Sequence, residues 1–191
     1  MLETMRQVKI KGLVPLLQHN GQLADPMNEF VREMKKITRK PAKQKTDNDH
    51  AELARLEFLG GLYLDDKGEP CIPGENLEAM LVDAARKQRL GKQAEAAIIC
   101  DGNFPLLYDG PRDPDALWED GRFRFTKGAK PPGQGRVMRT RPIFRSWFLV
   151  FDIMFDDAIL DRGQVRDLVI ASGGVGLCDW TPRYGRFEVV S

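Results

Sequence analysis

Residues 136–156 read RVMRTRPIFRSWFLVFDIMFD. Ile143, Trp147, Leu149, Phe151, Ile153 and Phe155 share one parity with Arg145, while Phe144, Ser146, Phe148, Val150, Asp152 and Met154 take the other. Period-two alternation over this length predicts β structure. Pro142 cannot donate to a ladder, so two strands or a bulged strand are expected. Working outward, Val8, Ile10 and the run 13–17 predict a first strand, and Phe187–Val190 a closing one. A helix is expected over 26–39, capped by Asp25, with Met27, Phe30, Val31, Met34 and Ile37 as its apolar stripe. The polar stretch 40–50 reads as a flexible linker. A hairpin is expected over 58–72 with its turn at Asp65–Gly68. A second helix should run from about 75 to 89 and end by Gly91. Short strands are expected at 96–100, 104–108 and 122–125, and residues 127–135 read as a loop. Asp161 and Gln164 form a capping-box pattern opening a third helix to about Ser172.

With two insertions set aside, the order is strand, helix, strand, strand, helix, strand. That is an α+β, ferredoxin-like (RRM-like) split βαβ core. The expected organisation is a single domain over 1–191, carrying an insertion at 21–72 (helix, basic linker, hairpin) and a loop insertion at 109–135. An antiparallel sheet with helices on one face leaves its other face available, and RNA-recognition modules use that face for bases.

The charge pattern points the same way. Between Asp120 and Asp152 the chain runs 31 residues without an acid and carries Arg122, Arg124, Lys127, Lys130, Arg136, Arg139, Arg141 and Arg145. The whole chain holds 29 basic and 28 acidic residues, so this is local charge separation. Self-repulsion within such a stripe is relieved by a bound polyanion. Phe123, Phe125, Phe144, Trp147 and Phe148 lie in the same stretch and suit stacked single-stranded bases. A second cluster around Lys36, Arg39 and Lys43 fits either a solvated helix face or a further contact with the strand.

Two glycine-centred segments remain. Residues 71–77 (CIPGENL) take a strand through Pro-Gly directly into a helix, which reads either as a plain strand-to-helix turn or as an anion site at the first helical amides. Residues 173–187 (GGVGLCDWTPRYGRF) join the last helix to the last strand and combine Gly173, Gly174 and Gly176 with Trp180, Arg183, Tyr184 and Arg186. The segment lacks the GK[ST] ending of a phosphate-binding P-loop and follows a helix rather than a strand. Together the two segments resemble the RAMP superfamily of CRISPR-associated proteins, particularly the backbone subunits that polymerise along guide RNA. Residues 71–85 are similar to that family's IPGSSLKG turn and helix, and 173–189 to its glycine-rich loop running into a YGRFEV-type strand. Glu75 and Asn76 replace the small hydroxyl-bearing pair. The resemblance implies an RNA-recognition-motif core with an inserted thumb or finger, RNA or single-stranded DNA as partner, and a homo-oligomer or filament along the strand. The short length fits a reduced relative carried by a virus or mobile element.

Other chemistry is sparse. No apolar run reaches membrane-span length, and 1–11 lacks the apolar block of a signal peptide. Cys71, Cys100 and Cys178 are odd in number and far apart, which predicts a reducing, cytoplasmic setting in a bacterial or infected host cell. No CxxC pair exists and only His19 and His50 are present, so neither a metal site nor a cofactor is expected. Asp47, Asn48 and Asp49 read as a solvated loop. The leading expectation is a non-catalytic, sequence-independent binder of single-stranded nucleic acid. One alternative is a RAMP-type RNA endonuclease with His19, just after the first strand, as general base. Another is a protein-interaction or decoy module of viral origin.

Overall fold

The computed structural model describes residues 1–129 and 137–190. In chain order its strands are β1 (Leu2–Gly12), β2 (Leu16–Leu17), β3 (Cys71–Pro73), β4 (Ile98–Ile99), β5 (Asn103–Pro105), β6 (Arg124–Ala129), β7 (Val137–Phe144), β8 (Phe148–Asp156) and β9 (Phe187–Val190). The helices are α1 (Glu29–Thr38), α2 (Asp47–Gly61), α3 (Gly74–Lys87), α4 (Gly91–Ala97), α5 (Pro114–Glu119) and α6 (Arg162–Val175). This is a mixed, α+β composition with antiparallel sheets. The chain forms two compact units. The first comprises Met1–Leu17, Leu64–Asp109 and Phe144–Ser191, and the second Gln18–Tyr63 and Gly110–Ile143. Residues 64–72 belong to the first unit, and 137–143 to the second.

In the first unit a four-stranded sheet runs in the order β4-β8-β1-β9, each neighbouring pair antiparallel. The alternation read from 147–155 is realised in β8: Leu149, Phe151, Ile153 and Phe155 are buried, whereas Phe148 and Asp152 are exposed. β1 presents Val8 and Ile10 to the same core, opposite Phe151 and Leu149. A bulge between Met5 and Val8 shifts its register, and Gln7 takes a positive φ of 52° there. The Gln7 amide released by the bulge donates to Asp152 Oδ1 at 2.7 Å. α3 buries Leu77, Met80, Leu81, Ala84 and Ala85, and α6 buries Val165, Leu168 and Val169. The two helices pack on each other, α3 also against β4 and α6 also against β9. Asp161 and Gln164 complete the expected capping box of α6. β3 and β5 form a separate antiparallel pair, and Phe104 on β5 meets the Phe151 ring edge-on at 6.0 Å.

Trp147 lies in the turn between β7 and β8 and is fully buried. Its indole N–H donates to the Val14 carbonyl at 3.0 Å, and its ring meets Phe187 edge-on at 6.4 Å. Gly12 makes room for it: a Cβ there would stand 2.1 Å from the indole nitrogen. Arg145, expected on the buried parity, is exposed because the turn breaks the alternation after Phe144.

The second unit departs most from the expectations. Residues 58–64 are not a hairpin arm; they continue and leave α2, which begins in the stretch read as a flexible linker. Thr46 and Asp49 supply the reason, a complete capping box at the start of α2. Only the turn of the expected hairpin survives, with Leu64 bridged to Pro70 in the first unit. Asn28 rather than Asp25 caps α1, its side chain accepting from the Phe30 amide. β6 and β7 pair antiparallel, with Thr126 facing Thr140 and their hydroxyls 2.9 Å apart. Elsewhere in the chain, Gly91 begins α4 instead of merely ending α3, so the strand expected at 96–100 shrinks to β4. The strand expected at 122–125 starts at Arg124 and runs to Ala129, preceded by a 3-10 turn over Gly121–Phe123.

Two outcomes follow from these contacts. Gly12→Ala forces a methyl into the Trp147 ring and lowers unfolding free energy by about 1–3 kcal/mol, the range for overpacking; urea denaturation followed by tryptophan fluorescence measures it. A hydrogen bond from the Lys40 ammonium holds the Asp49 carboxyl at about 2, below its ordinary 3.8. A depressed carboxyl stabilises the fold above its ordinary value and loses that contribution as pH falls through the folded one. Amide protection in the first turn of α2 therefore drops between about pH 4 and pH 2 in wild type but not in Asp49→Asn.

Candidate nucleic-acid interface

The two glycine segments come together within the first unit. Asn76, in the first turn of α3, donates to Cys178 Sγ at 3.8 Å. Gly173 and Gly174 are not loop residues, as expected, but belong to the last turns of α6. Gly173 sits where a Cβ would stand 2.3 Å from the Phe187 carbonyl, so its absence of side chain lets the helix abut β9. Gly176 ends the helix with φ 91°. The loop beyond it is tied down by backbone bonds: Leu177 N–H to Gly185 O, Asp179 N–H to Leu17 O, Gly185 N–H to Pro15 O and Tyr184 N–H to Trp180 O. Those four amides already donate within the protein and are not available to a ligand. Arg183 and Arg186 are exposed, the Arg183 guanidinium lies 5.9 Å from the Tyr184 ring centre, and Trp180 and Tyr184 stand 6.3 Å apart.

The anion site expected at the start of α3 is weakened by its own neighbours. The Gly74 amide donates to the Gly102 carbonyl at 2.8 Å, and Glu75 brings a carboxylate into the first turn. Burial pushes the thiols of Cys71, Cys100 and Cys178 each up to about 12, which favours their protonated form.

The basic stretch 122–145 is acid-free in sequence but not in space. Asp120 takes Arg122 in a forked pair, with Nη2 to Oδ2 at 2.7 Å. The Arg124 guanidinium lies 4.7 Å from the Trp118 ring centre. Arg139 is ion-paired to Glu57 of α2, and the other oxygen of that carboxylate accepts from the Thr140 amide at 2.9 Å. Lys127 and Arg139 oppose each other across the ladder, so with Phe125 and Arg141 they share one face, while Arg124 projects from the other. Arg145 belongs to the first unit, and Lys130 and Arg136 lie outside the described residues. Phe144 and Trp147, candidate base-stackers by sequence, are core residues. In the second cluster Lys36 pairs with Glu33 at 2.5 Å, while Arg39 at the end of α1 and Lys43 in a 3-10 turn are exposed. Asp47 and Asp49 open α2, and among the described residues no three His, Cys, Asp or Glu side chains converge to hold a metal. Among those residues no helix is long and apolar enough to cross a membrane.

The sheet of the first unit presents a face that residue-by-residue reading of the sequence left unassigned. On the parity opposite the core, Lys9 faces Val150 and Val190, Lys11 faces Phe148 and Glu188, and Ile99 faces Met154. Phe148 is 40% exposed and the Lys11 ammonium lies 5.9 Å from its ring centre. Arg186 precedes Glu188 by two residues, and its carbonyl accepts from the Leu13 amide, so it prolongs this face past the end of β9. Lys9 and Lys11 escaped notice because their strand was recognised by Val8 and Ile10, the inward parity. The alternation itself was the available signal.

No protein-family model matches the chain, and no curated protein matches it. Among solved structures, its fold is similar to a chain in the cryo-EM structure of the Type III-B Cmr-beta bound to cognate target RNA, with a TM-score of 0.52 and 12% sequence identity. The match covers 100% of this chain and 59% of that one. At this identity the likeness is one of fold alone. The present chain spans about three fifths of the length of its neighbour.

Arg139 serves Glu57 before any ligand. Arg139→Ala leaves a buried carboxylate with the Thr140 amide and is expected to cost about 1–3 kcal/mol. Glu57→Gln/Arg139→Ala should recover part of this loss in thermal unfolding, because the uncompensated charge is gone.

Proposed function

We propose that this protein binds single-stranded nucleic acid, RNA foremost, across the open face of a ferredoxin-like core. The carrying observation is the exposed Phe148 ring with Lys11 beside it and Lys9 and Arg186 on the same parity. Reading that core as ferredoxin-like is supported by the element order β1, α3, β4, β8, α6, β9 within the first unit and by its antiparallel sheet order β4-β8-β1-β9. The fold likeness to a chain from an RNA-bound effector supports the same ligand class, as does the sequence resemblance to RAMP backbone subunits. The second unit is read as the insertion into this core.

The physical division of labour is simple. The face of Phe148 stacks on a base irrespective of its identity, worth about 1–3 kcal/mol per base. Lys9, Lys11 and Arg186 neutralise phosphates, with Arg183 and Tyr184 extending the track along the loop. Asp152 and Glu188 lie on the same parity; Asp152 is engaged with the bulge amide of β1. Readout is sequence-independent, since no array of amide side chains faces the bases on this surface. The activity is binding rather than cleavage, and repeated subunits coating one strand belong to the same proposal.

Fluorescence anisotropy with oligouridylate tests it. Affinity should fall with salt by about 0.7 log units per log unit for each phosphate neutralised. Lys9→Glu/Lys11→Glu should flatten that slope, and Phe148→Ala should weaken binding by roughly tenfold while leaving the slope intact. Wild-type affinity in both variants would sink the assignment. A complex whose mass grows stepwise with oligonucleotide length would support coating, and one protein per strand at every length would exclude it.

A further inference from the structure

The two units carry opposite charge. The first holds 13 basic and 17 acidic residues, the second 16 and 11. One helix in each unit concentrates the difference on a single stripe.

On the first unit, α3, α4 and the start of β4 enclose a groove of about 400 Å³. Ala79, Val82 and Ile98 form its floor, and Glu75, Glu78, Asp83 and Glu95 its rim. Arg86, the cation in its lining, is taken by Asp83 at 2.6 Å. One oxygen of Glu78 accepts from the Cys100 amide at 2.7 Å. Among the described residues no cation pairs with Glu75, Glu78 or Glu95. The groove therefore joins an apolar floor to an uncompensated acidic rim.

On the second unit, α1 packs against α2 through the side that carries Phe30, Val31 and Met34, with Phe30 against Gly60. Arg32, Lys35, Lys36 and Arg39 recur at spacings of three and four on the opposite, exposed side. Glu33 holds Lys36, whereas among the described residues Arg32, Lys35 and Arg39 have no carboxylate partner.

The two stripes agree in order and in length. α3 runs from acid to base, with Glu75 and Glu78 first and Arg86 and Lys87 last. α1 also begins with an acid, Glu29, and ends with Lys35, Lys36 and Arg39. Laid antiparallel, Arg39 meets Glu75, Lys35 meets Glu78, and Glu29 meets Arg86. Helical rise makes the span from Glu75 to Arg86 about 16 Å and that from Glu29 to Arg39 about 15 Å. The aliphatic stems of Lys35 and Arg39 can cover Ala79, Val82 and Ile98 while their charged heads reach the rim.

We infer that α1 of one copy of this chain docks in the α3–α4 groove of another. Each copy carries both surfaces, so the contact is head-to-tail and can repeat along a row of copies. As the contact between copies that coat a strand, it rests on the proposed function; as an association of the chain with itself, it does not. One helix in one groove is smaller than a standard interface, so free copies associate weakly. Copies held on one strand meet at a far higher effective concentration.

Sedimentation velocity of the full chain, freed of nucleic acid, tests the inference from about 10 μM to about 1 mM. The weight-average coefficient should rise with concentration at about 50 mM salt and stay flat at about 0.5 M. Lys35→Glu/Arg39→Glu and Glu75→Lys/Glu95→Lys alter exposed side chains alone, and each should weaken self-association by about tenfold. Mixing the two should restore association, because reversed helix then meets reversed groove and native helix meets native groove. Circular dichroism checks the fold; should the groove variant unfold, Glu95→Lys takes its place. The inference is overturned if wild type stays monomeric throughout, if association persists at the higher salt, if either folded variant associates as wild type does, or if the folded variants stay apart on mixing. Phe148→Ala weakens strand binding and leaves this association untouched, so the two readings fail separately.

Discussion

β1 is hydrogen-bonded on both sides, to β8 and to β9, and the first unit depends on that double ladder. A central strand has no spare edge, so its parity is imposed on both neighbours. Val8 and Ile10 looking inward force Lys9 and Lys11 outward, and the antiparallel register then places Phe148 and Val150 opposite those lysines. The surface proposed to receive a nucleic acid is thus the complement of the core pattern, generated by the same alternation. Trp147 fixes one end of the arrangement. Its burial requires Gly12 at the end of β1, and its contact with Phe187 holds the start of β9, so a single indole secures both ladders where the open face is most basic.

Legibility in the sequence followed the range of the interactions concerned. β8, α6 with its capping box, and β9 could be read locally, because alternation, Asp161 with Gln164, and the terminal apolar run each act over a few residues. The stretch 40–64 could not. The polar composition of 40–50 favoured a linker and residues 58–64 read as a hairpin arm, yet Thr46 and Asp49 nucleate a helix whose buried side is completed by residues far away in the chain. Gly60 is a packing surface for Leu23 and Phe30. The charge pattern failed for a similar reason. An acid-free run in sequence says nothing of Asp120 folding back onto Arg122, or of Glu57 arriving from α2 to meet Arg139. In the glycine-rich segment Gly173 serves helix–strand contact rather than an open loop, and Gly174 lies in the last turn of α6.

The two glycine segments illustrate how a recurrent motif can be structural first. Asn76 and Cys178 bind them to each other, and the amides of the second segment are satisfied within the protein. What remains outward is Arg183 and Arg186, beside the half-buried Trp180 and Tyr184.

Glu57 has one more consequence. Its two oxygens grip consecutive residues of β7, one through the Arg139 guanidinium and one through the Thr140 backbone amide. A ribbon of paired antiparallel strands can slide along itself, since a shift of two residues restores every side chain to its original face. Here any such slide would part the carboxylate from both partners at once. The helix therefore acts as a detent for the ribbon, choosing a single alignment of β6 and β7 that their own side chains, with threonine facing threonine and cation facing cation, would specify only weakly.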